Sequence, residues 1–274
     1  MCTTLAHLPP KDGLTNFRFC TAFNCAPGIP FFPASYSPGA DTGHSRSLAV
    51  GTENGGLLFL AFHGVGDDLA TARDNLATTM RQALLPVQAI ARECCKDRAV
   101  FFRGVDCSIA PGLEPRDSVG APLEDIFPGR FGALGAVAAV SAVTAAIKSI
   151  CHPDPSRGDP DGILQTGYCG LMLPVMEDVV MAQRAFDRDP DTAPLAVNRL
   201  LHMSAVCGVG VDTVPLAGDV SADSLTALYM DVGAMALRLQ KPLSCRVLPM
   251  PGLKEGDVTT TDSPYLCNTR VFSL

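Results

Sequence analysis

The stretch CGVGVDTVPLAGD, residues 207–219, decides how the rest of the chain is read. It sets a thiol, three glycines and two carboxylates around a short apolar run. Those residue types suit a phosphate cradle, a nucleophile site, a metal site, or simple strand-and-turn punctuation. Two strand placements are open. A strand over Met203–Val209 leaves Asp212 just past its carboxyl end. A strand over Asp212–Leu216 puts Asp212 at the opposite rim and moves Asp219 to the mouth. β-branched content does not separate the two, and the first is preferred.

Working outward, the stretch falls among alternating strands and helices. GLLFLAF (56–62), ending at His63, is a continuous apolar run suited to a strand buried on both faces. AVFFRGVDCSI (99–109), CGLMLPV (169–175) and LSCRVLPM (243–250) read as further strands. Between the first two, Leu69, Ala72, Leu76, Met80, Leu84, Val87, Ala91 and Cys94 recur at helical steps. Asp67 and Asp68 suit that helix's start, and Pro86 is expected to kink or divide it. The Ala-rich segment 131–149 and the segment capped by Ser221, with Leu225, Leu228, Val232, Met235 and Leu239 in step, are predicted helices. An amphipathic stretch starts at Glu177. This alternation predicts an α/β fold of parallel strands joined by crossover helices. No break in composition divides it, so residues 1–274 are read as a single α/β domain. VPLAGDVS (214–221) and LPMPG…GDVT (248–259) echo each other, too briefly to establish a repeat. Residues 24–47 and 153–162, rich in Pro, Gly, Ser and Asp, are expected to be loops, the first able to close over a site.

Composition bounds the partners. The net charge of -7 and the scattered Lys and Arg exclude a nucleic-acid partner. The longest apolar stretch, Phe131 to Ile147, is too short and too mild for a bilayer span, so no membrane is expected. There is no tryptophan, and the core must be aliphatic. The eleven cysteines contain no C-x-x-C pair, and Cys94 and Cys95 are adjacent rather than spaced as zinc ligands. They read as reduced thiols lining the core of a cytoplasmic protein.

Ligands of parallel α/β sheets bind beyond the carboxyl ends of the strands. The predicted strand ends offer His63, Asp106 with Glu114 in the following loop, Glu177 with Asp178, and either Asp212 or Asp219. Carboxylates gathered at one mouth repel unless they are protonated, hydrogen-bonded or shared by a cation. A divalent ion such as Mg²⁺, Mn²⁺ or Ca²⁺ on Asp106, Glu177 and Asp212 is one resolution. Helix capping is the other reading; it is preferred for Asp67, Asp68 and Asp219, and for Asp106 both stay open. HGVGDD and CGVGVD lack the further glycine and the Gly-Lys-Ser/Thr ending of a phosphate loop and carry acids instead. Cys169 and Cys207 sit against glycines, where His63 or His202 would be the base of a nucleophilic thiol; His202 also reads as a core histidine. No Gly-x-Ser-x-Gly elbow is present.

Several blocks taken together, NFRFC…PGIPFFPASY, VDCSIAPGLEP, GYCGLMLPVMED, VCGVGVDTVPLAGD, LSCRVLPMPG and DSPYLCNTRV, resemble an uncharacterised family catalogued as "domain of unknown function seven-eleven". The resemblance implies a fold similar to pyruvate formate-lyase, an α/β barrel built from two parallel half-sheets, and no substrate. The chain departs from the family pattern in having about sixteen residues ahead of Phe17, where typical members carry a further region. Part of such a barrel is therefore expected to be missing, or to be supplied by another copy, a complementing subunit or a separate polypeptide. It also ends RVFSL, without the glycine of a glycyl-radical loop, so glycyl-radical catalysis is rejected. The leading expectation is an enzyme acting on a small polar molecule. Asp106, Glu177, Asp178, Cys169 and Cys207 would do the chemistry, and His63, Glu114, Tyr36 and Asp219 would bind substrate. The alternative is a non-catalytic small-molecule-binding or assembly subunit, followed by a redox-responsive thiol protein.

Overall fold

The structure, a computed structural model, describes residues 14–26, 46–96, 98–127, 129–157, 161–187 and 195–274. Tyr36 and all but the ends of the 24–47 loop lie outside the described residues. The strands are β1 (Thr21–Phe23), β2 (Ser47–Gly51), β3 (Phe101–Asp106), β4 (Gly210–Ala217) and β5 (Leu243–Met250). The helices are α1 (Gly55–Phe62), α2 (Leu69–Lys96), α3 (Gly120–Asp125), α4 (Ala136–Ser149), α5 (Val179–Arg184), α6 (Val197–Ser204) and α7 (Ala222–Arg238).

β2 and β3 pair in parallel across α1 and α2, and β4 and β5 pair in parallel across α7. β1 runs antiparallel along the far edge of β5. The two sheets are joined by residues 165–174, which make parallel bridges Val105↔Gln165, Ile109↔Leu171 and Pro174↔Asp212. The spatial order is therefore β2, β3, the bridging segment, β4, β5, β1. This is the expected mixed α/β arrangement with parallel strands and crossover helices, but among the described residues the strands do not close into a barrel.

Four local expectations are corrected. Residues 56–62 form α1 rather than a strand. A short all-apolar run carries no period of its own, and here Gly55, Leu58, Ala61 and Phe62 take helical spacing into the core while Leu60 faces out. α2 continues through Pro86 without dividing. Residues 169–175 contribute single bridges but no regular strand; Cys169 at φ 45° and Pro174, which has no N–H, interrupt the ladder. Finally, Met203 and Ser204 close helix α6, with His202 on its exposed side, and the strand starts only at Gly210.

That last correction explains the glycines of 207–219. A Cβ on Gly208 would come 2.1 Å from the Cα of Gly170, and one on Gly210, at φ 118°, would come 2.1 Å from the Ser244 carbonyl oxygen. They are places where backbones meet with no room for a side chain. The echo between 214–221 and 248–259 likewise has a spatial meaning, because β4 and β5 are neighbouring parallel strands with Pro215 opposite Leu248.

The core is aliphatic as expected: Leu76, Met80, Val105, Ile109, Val143, Ile147, Leu225 and Val232 belong to one buried cluster. The described cysteines are free thiols, Cys95, Cys107, Cys169, Cys207 and Cys245 among them buried. Among the described residues no helix is long and apolar enough to cross a membrane.

Candidate functional site

The β4–β5 ladder is interrupted once. Val211 pairs with Cys245 and Val214 with Val247, so Asp212 and Thr213 together oppose Arg246. This is a β-bulge, a device that re-aims side chains at the edge of a regular ladder. Thr213 takes φ 47°, which a β-branched residue rarely adopts. The bulge gathers a buried ionic cluster. Arg246, 1 % exposed, donates from Nε to Asp212 Oδ1 at 2.6 Å and from Nη2 to Glu177 Oε1 at 2.6 Å. Its Nη1 reaches the Phe17 carbonyl oxygen at 3.4 Å, and its guanidinium lies 4.4 Å from the centre of the Phe17 ring. The Thr213 hydroxyl lies 2.6 Å from Glu177 Oε1 and 3.1 Å from Asp212 Oδ1. Asp212 Oδ2 is buried and has no hydrogen-bond partner among the described residues.

This cluster forms one wall of a cavity of about 480 Å³. Gly51, the last residue of β2, with Thr52 and Glu53 just past it, and Asp106 and Ser108, at the end of β3, line it from the opposite side. Met172 and Pro174 of the bridging segment, with Ala110 and Pro111, supply its apolar surface. Asp212 reaches this mouth although it stands early in β4. The strands are staggered, and the Pro174↔Asp212 bridge sets the start of β4 level with the end of the bridging segment. Asp219, past the far end of β4, is exposed and away from the cavity.

The electrostatics follow from burial. Desolvation, reinforced by the nearby Asp212 charge, pushes the Glu177 carboxyl from 4.5 up to about 7, against the opposing pull of Arg246 and the Thr213 hydroxyl. Burial alone would lower Arg246, but Asp212 and Glu177 overcome it and raise the guanidinium, which stays charged. Two carboxylates thus share one fixed cation, with Glu177 the one raised.

Asp106 lines the same cavity, but its carboxylate staples a turn. Oδ1 accepts from the Ser108 N–H at 3.0 Å, the Ser108 hydroxyl at 2.6 Å and the Cys169 N–H at 3.1 Å, and Oδ2 accepts from the Tyr168 N–H at 3.2 Å. Gly167 leaves room for this, since a Cβ there would fall 2.1 Å from Oδ2. Asp178 lies outside the cavity. It caps α5 through the Val180 and Met181 N–H groups and accepts from Ser118 and the Val119 and Gly120 N–H groups; burial still pushes its carboxyl up. Cys169 and Cys207 are buried in the core away from the cavity lining. The Cys169 thiol shares a hydrogen bond with Cys107 that lowers Cys169 and raises Cys107. His63 and Glu114 are exposed, His63 at the end of α1 beside a separate surface depression with Arg116 and Asp117. Thus of the residues expected at the mouth, Asp106, Glu177 and Asp212 come together, and Asp178, Cys169, Cys207, His63, Glu114 and Asp219 do not.

No three His, Cys, Asp or Glu side chains converge as a metal-binding group among the described residues. Arg246 places a fixed positive charge between Glu177 and Asp212. That residue, Thr213, Glu53 and Ser108 were not singled out in the sequence. Arg246 had a signal: it is the one charged residue in LSCRVLPM, and a charge inside a buried strand must have partners. Thr213 had none, because a bulge is invisible without the neighbouring strand.

Comparison with known proteins adds a family. The model of the family described as Uncharacterised ACR (DUF711) matches residues 2–262, and the chain belongs to that family. It is 32 % identical over 241 residues to a UPF0210 protein of Pyrobaculum arsenaticum, covering 88 % of this chain and 51 % of the relative. It is 28 % identical over 254 residues to one of Methanopyrus kandleri, covering 90 % and 52 %, and 29 % identical over 215 residues to one of Ruminiclostridium cellulolyticum, covering 77 % and 44 %. The chain spans about half the length of these curated relatives.

Proposed function

We propose that this member of the DUF711 family is an enzyme that binds a small polar molecule in the cavity between β3 and the β4 bulge and moves a proton to or from it through Glu177. The observation that carries this reading is the buried pair of carboxylates on one guanidinium, with Glu177 titrating at about 7 on the cavity wall. A general acid–base group works best when its pKa lies near the working pH. Burial of a carboxyl beside a second negative charge is a usual way to obtain one. Arg246 and Thr213 hold Glu177 in place, while Asp106 acts as a positioning residue that fixes Ser108 and the 167–169 turn.

Thermal-shift screening of small polar metabolites against the wild type and a cavity-filling Met172→Trp variant tests it. A ligand of this site raises the wild-type Tm and leaves the variant unmoved. Turnover of that ligand should follow an apparent pKa near 7 that disappears in Glu177→Gln. If no compound distinguishes wild type from the filled variant, the proposed site is wrong.

A further inference from the structure

The charge inside the cavity is one-sided. Glu53, Asp106, Glu177 and Asp212 line it, against Arg246 as the one basic side chain on its wall among the described residues. Arg246 is committed to the protein: it serves Asp212, Glu177 and the Phe17 carbonyl and lies against the Phe17 ring. An anionic ligand would have to displace one of these carboxylates from the guanidinium. Meanwhile Asp212, 1 % exposed, leaves Oδ2 buried without a donor among the described residues. A buried acceptor in a carboxylate-lined cavity calls for N–H donors that carry positive charge. The remaining wall is carbon: Ala110, Pro111, Met172 and Pro174.

From this geometry we infer that the ligand is a small organic ammonium ion, its charged nitrogen directed to Asp212 and Glu177 and its short carbon chain against Met172 and Pro111. The inference rests on the proposed site and names its substrate class. An ammonium donates several hydrogen bonds, enough to satisfy Asp212 Oδ2 and a second carboxylate oxygen together. Glu53, exposed at the rim, adds attraction for the same charge at longer range. Once bound, the ammonium can pass one proton to Glu177: an N–H bond breaks, an O–H bond forms on the carboxylate, and the nitrogen keeps the electron pair as a neutral amine.

Isothermal titration calorimetry of the full chain at pH 8 tests this with matched probes: propylamine and 1,4-diaminobutane, 1-propanol, propionate, and magnesium and potassium chloride. Amines are expected to bind, and the alcohol, the carboxylate and the inorganic cations are not. Asp212→Asn should weaken amine binding roughly tenfold or more. Because that variant also disturbs the partner of buried Arg246, Glu53→Gln provides a second arm on an exposed side chain, with an expected loss of about two- to threefold. Amine binding that neither variant weakens overturns the inference, since the amine then sits elsewhere. Preferential binding of the alcohol, propionate or a metal ion, lost in Met172→Trp, overturns the ammonium class and leaves the cavity reading standing. If none of the probes binds and the metabolite screen is also empty, both fall together.

Discussion

Replacing Glu177 by glutamine isolates the charge on which the proposed chemistry depends. The Glu177 Oε1 atom accepts from both Arg246 and the Thr213 hydroxyl, and a glutamine carbonyl oxygen can accept from both as well. The substitution therefore removes the negative charge and little else. In the folded protein this carboxyl is raised from 4.5 to about 7 by burial and by Asp212, with Arg246 opposing and Glu53 adding slightly. A group raised on folding binds its proton more tightly in the native than in the unfolded chain. Its contribution is fully present below pH 4.5 and is lost as the pH climbs to about 7. A shift of that size corresponds to roughly 3 kcal/mol, and with the side chain 24 % exposed, about 2 kcal/mol is a more realistic figure.

Glutamine mimics the protonated form at every pH. The two proteins should thus unfold at similar urea concentrations at pH 4.5, and the variant should gain on the wild type through pH 5, 6 and 7. Above that the difference should level off at about 2 kcal/mol in favour of the variant. The remaining carboxylates titrate in both proteins and largely cancel in the difference. Equilibrium urea unfolding followed by circular dichroism at each pH is the assay; urea is preferred because it carries no charge. A variant that is less stable than the wild type at pH 8, by a margin that widens with pH, would refute the reasoning. It would mean that Arg246 holds Glu177 ionised and that no proton is available near neutrality.

Arg246→Met strands Asp212 and Glu177 in the protein interior and should cost about 3–5 kcal/mol at pH 8, less at pH 5 where Glu177 takes up a proton; urea unfolding at both values reads it. Gly208→Ala forces a Cβ to within 2.1 Å of the Gly170 Cα and should cost about 1–3 kcal/mol or more. Gly64→Ala, at φ 76° with nothing within 4 Å, is the control and should cost only about 1 kcal/mol, compared by thermal melts. Asp106→Asn turns an NH₂ toward the N–H donors of Tyr168 or Cys169 and should cost about 1–3 kcal/mol. It should also speed alkylation of the buried Cys169, followed by mass spectrometry.

The α/β class and the pairing of strands across helices were legible because crossover helices carry a strong 3.6-residue pattern: α2 and α7 appear close to where Leu69–Cys94 and Ser221–Leu239 place them. Residues 56–62 were not, because seven consecutive apolar residues fit a buried strand and a buried helix equally. For the site, the rule that ligands gather past the strand ends brings Asp106, Glu177 and Asp212 to one cavity. It also admits Asp178 and Asp219, which share the residue type but not the place. Asp178 differs from Glu177 by one position, and on a chain entering a helix one position separates the cavity wall from the N-cap. The counter-ion was the larger omission. A single arginine in an apolar strand names no partner by itself, although it can be buried only if acids meet it.

The choice of threonine at the bulge bears on why the cluster exists. Wherever this chain needs an unusual backbone or a close approach it generally uses glycine: Gly104 at φ 120° under Leu164, Gly167 over Asp106, Gly210 against Ser244. At 213 it tolerates a β-branched side chain at φ 47°, a conformation that costs about 1–3 kcal/mol and that glycine would adopt freely. What glycine cannot provide is the hydroxyl 2.6 Å from Glu177. A buried ion pair also adds little net stability over a well-packed apolar replacement, so Arg246 and its two acids are not explained by folding either. The unusual backbone of Thr213 and the desolvated charges of Arg246, Asp212 and Glu177 thus meet at one bulge, on the wall of one cavity, around a carboxyl raised by its burial.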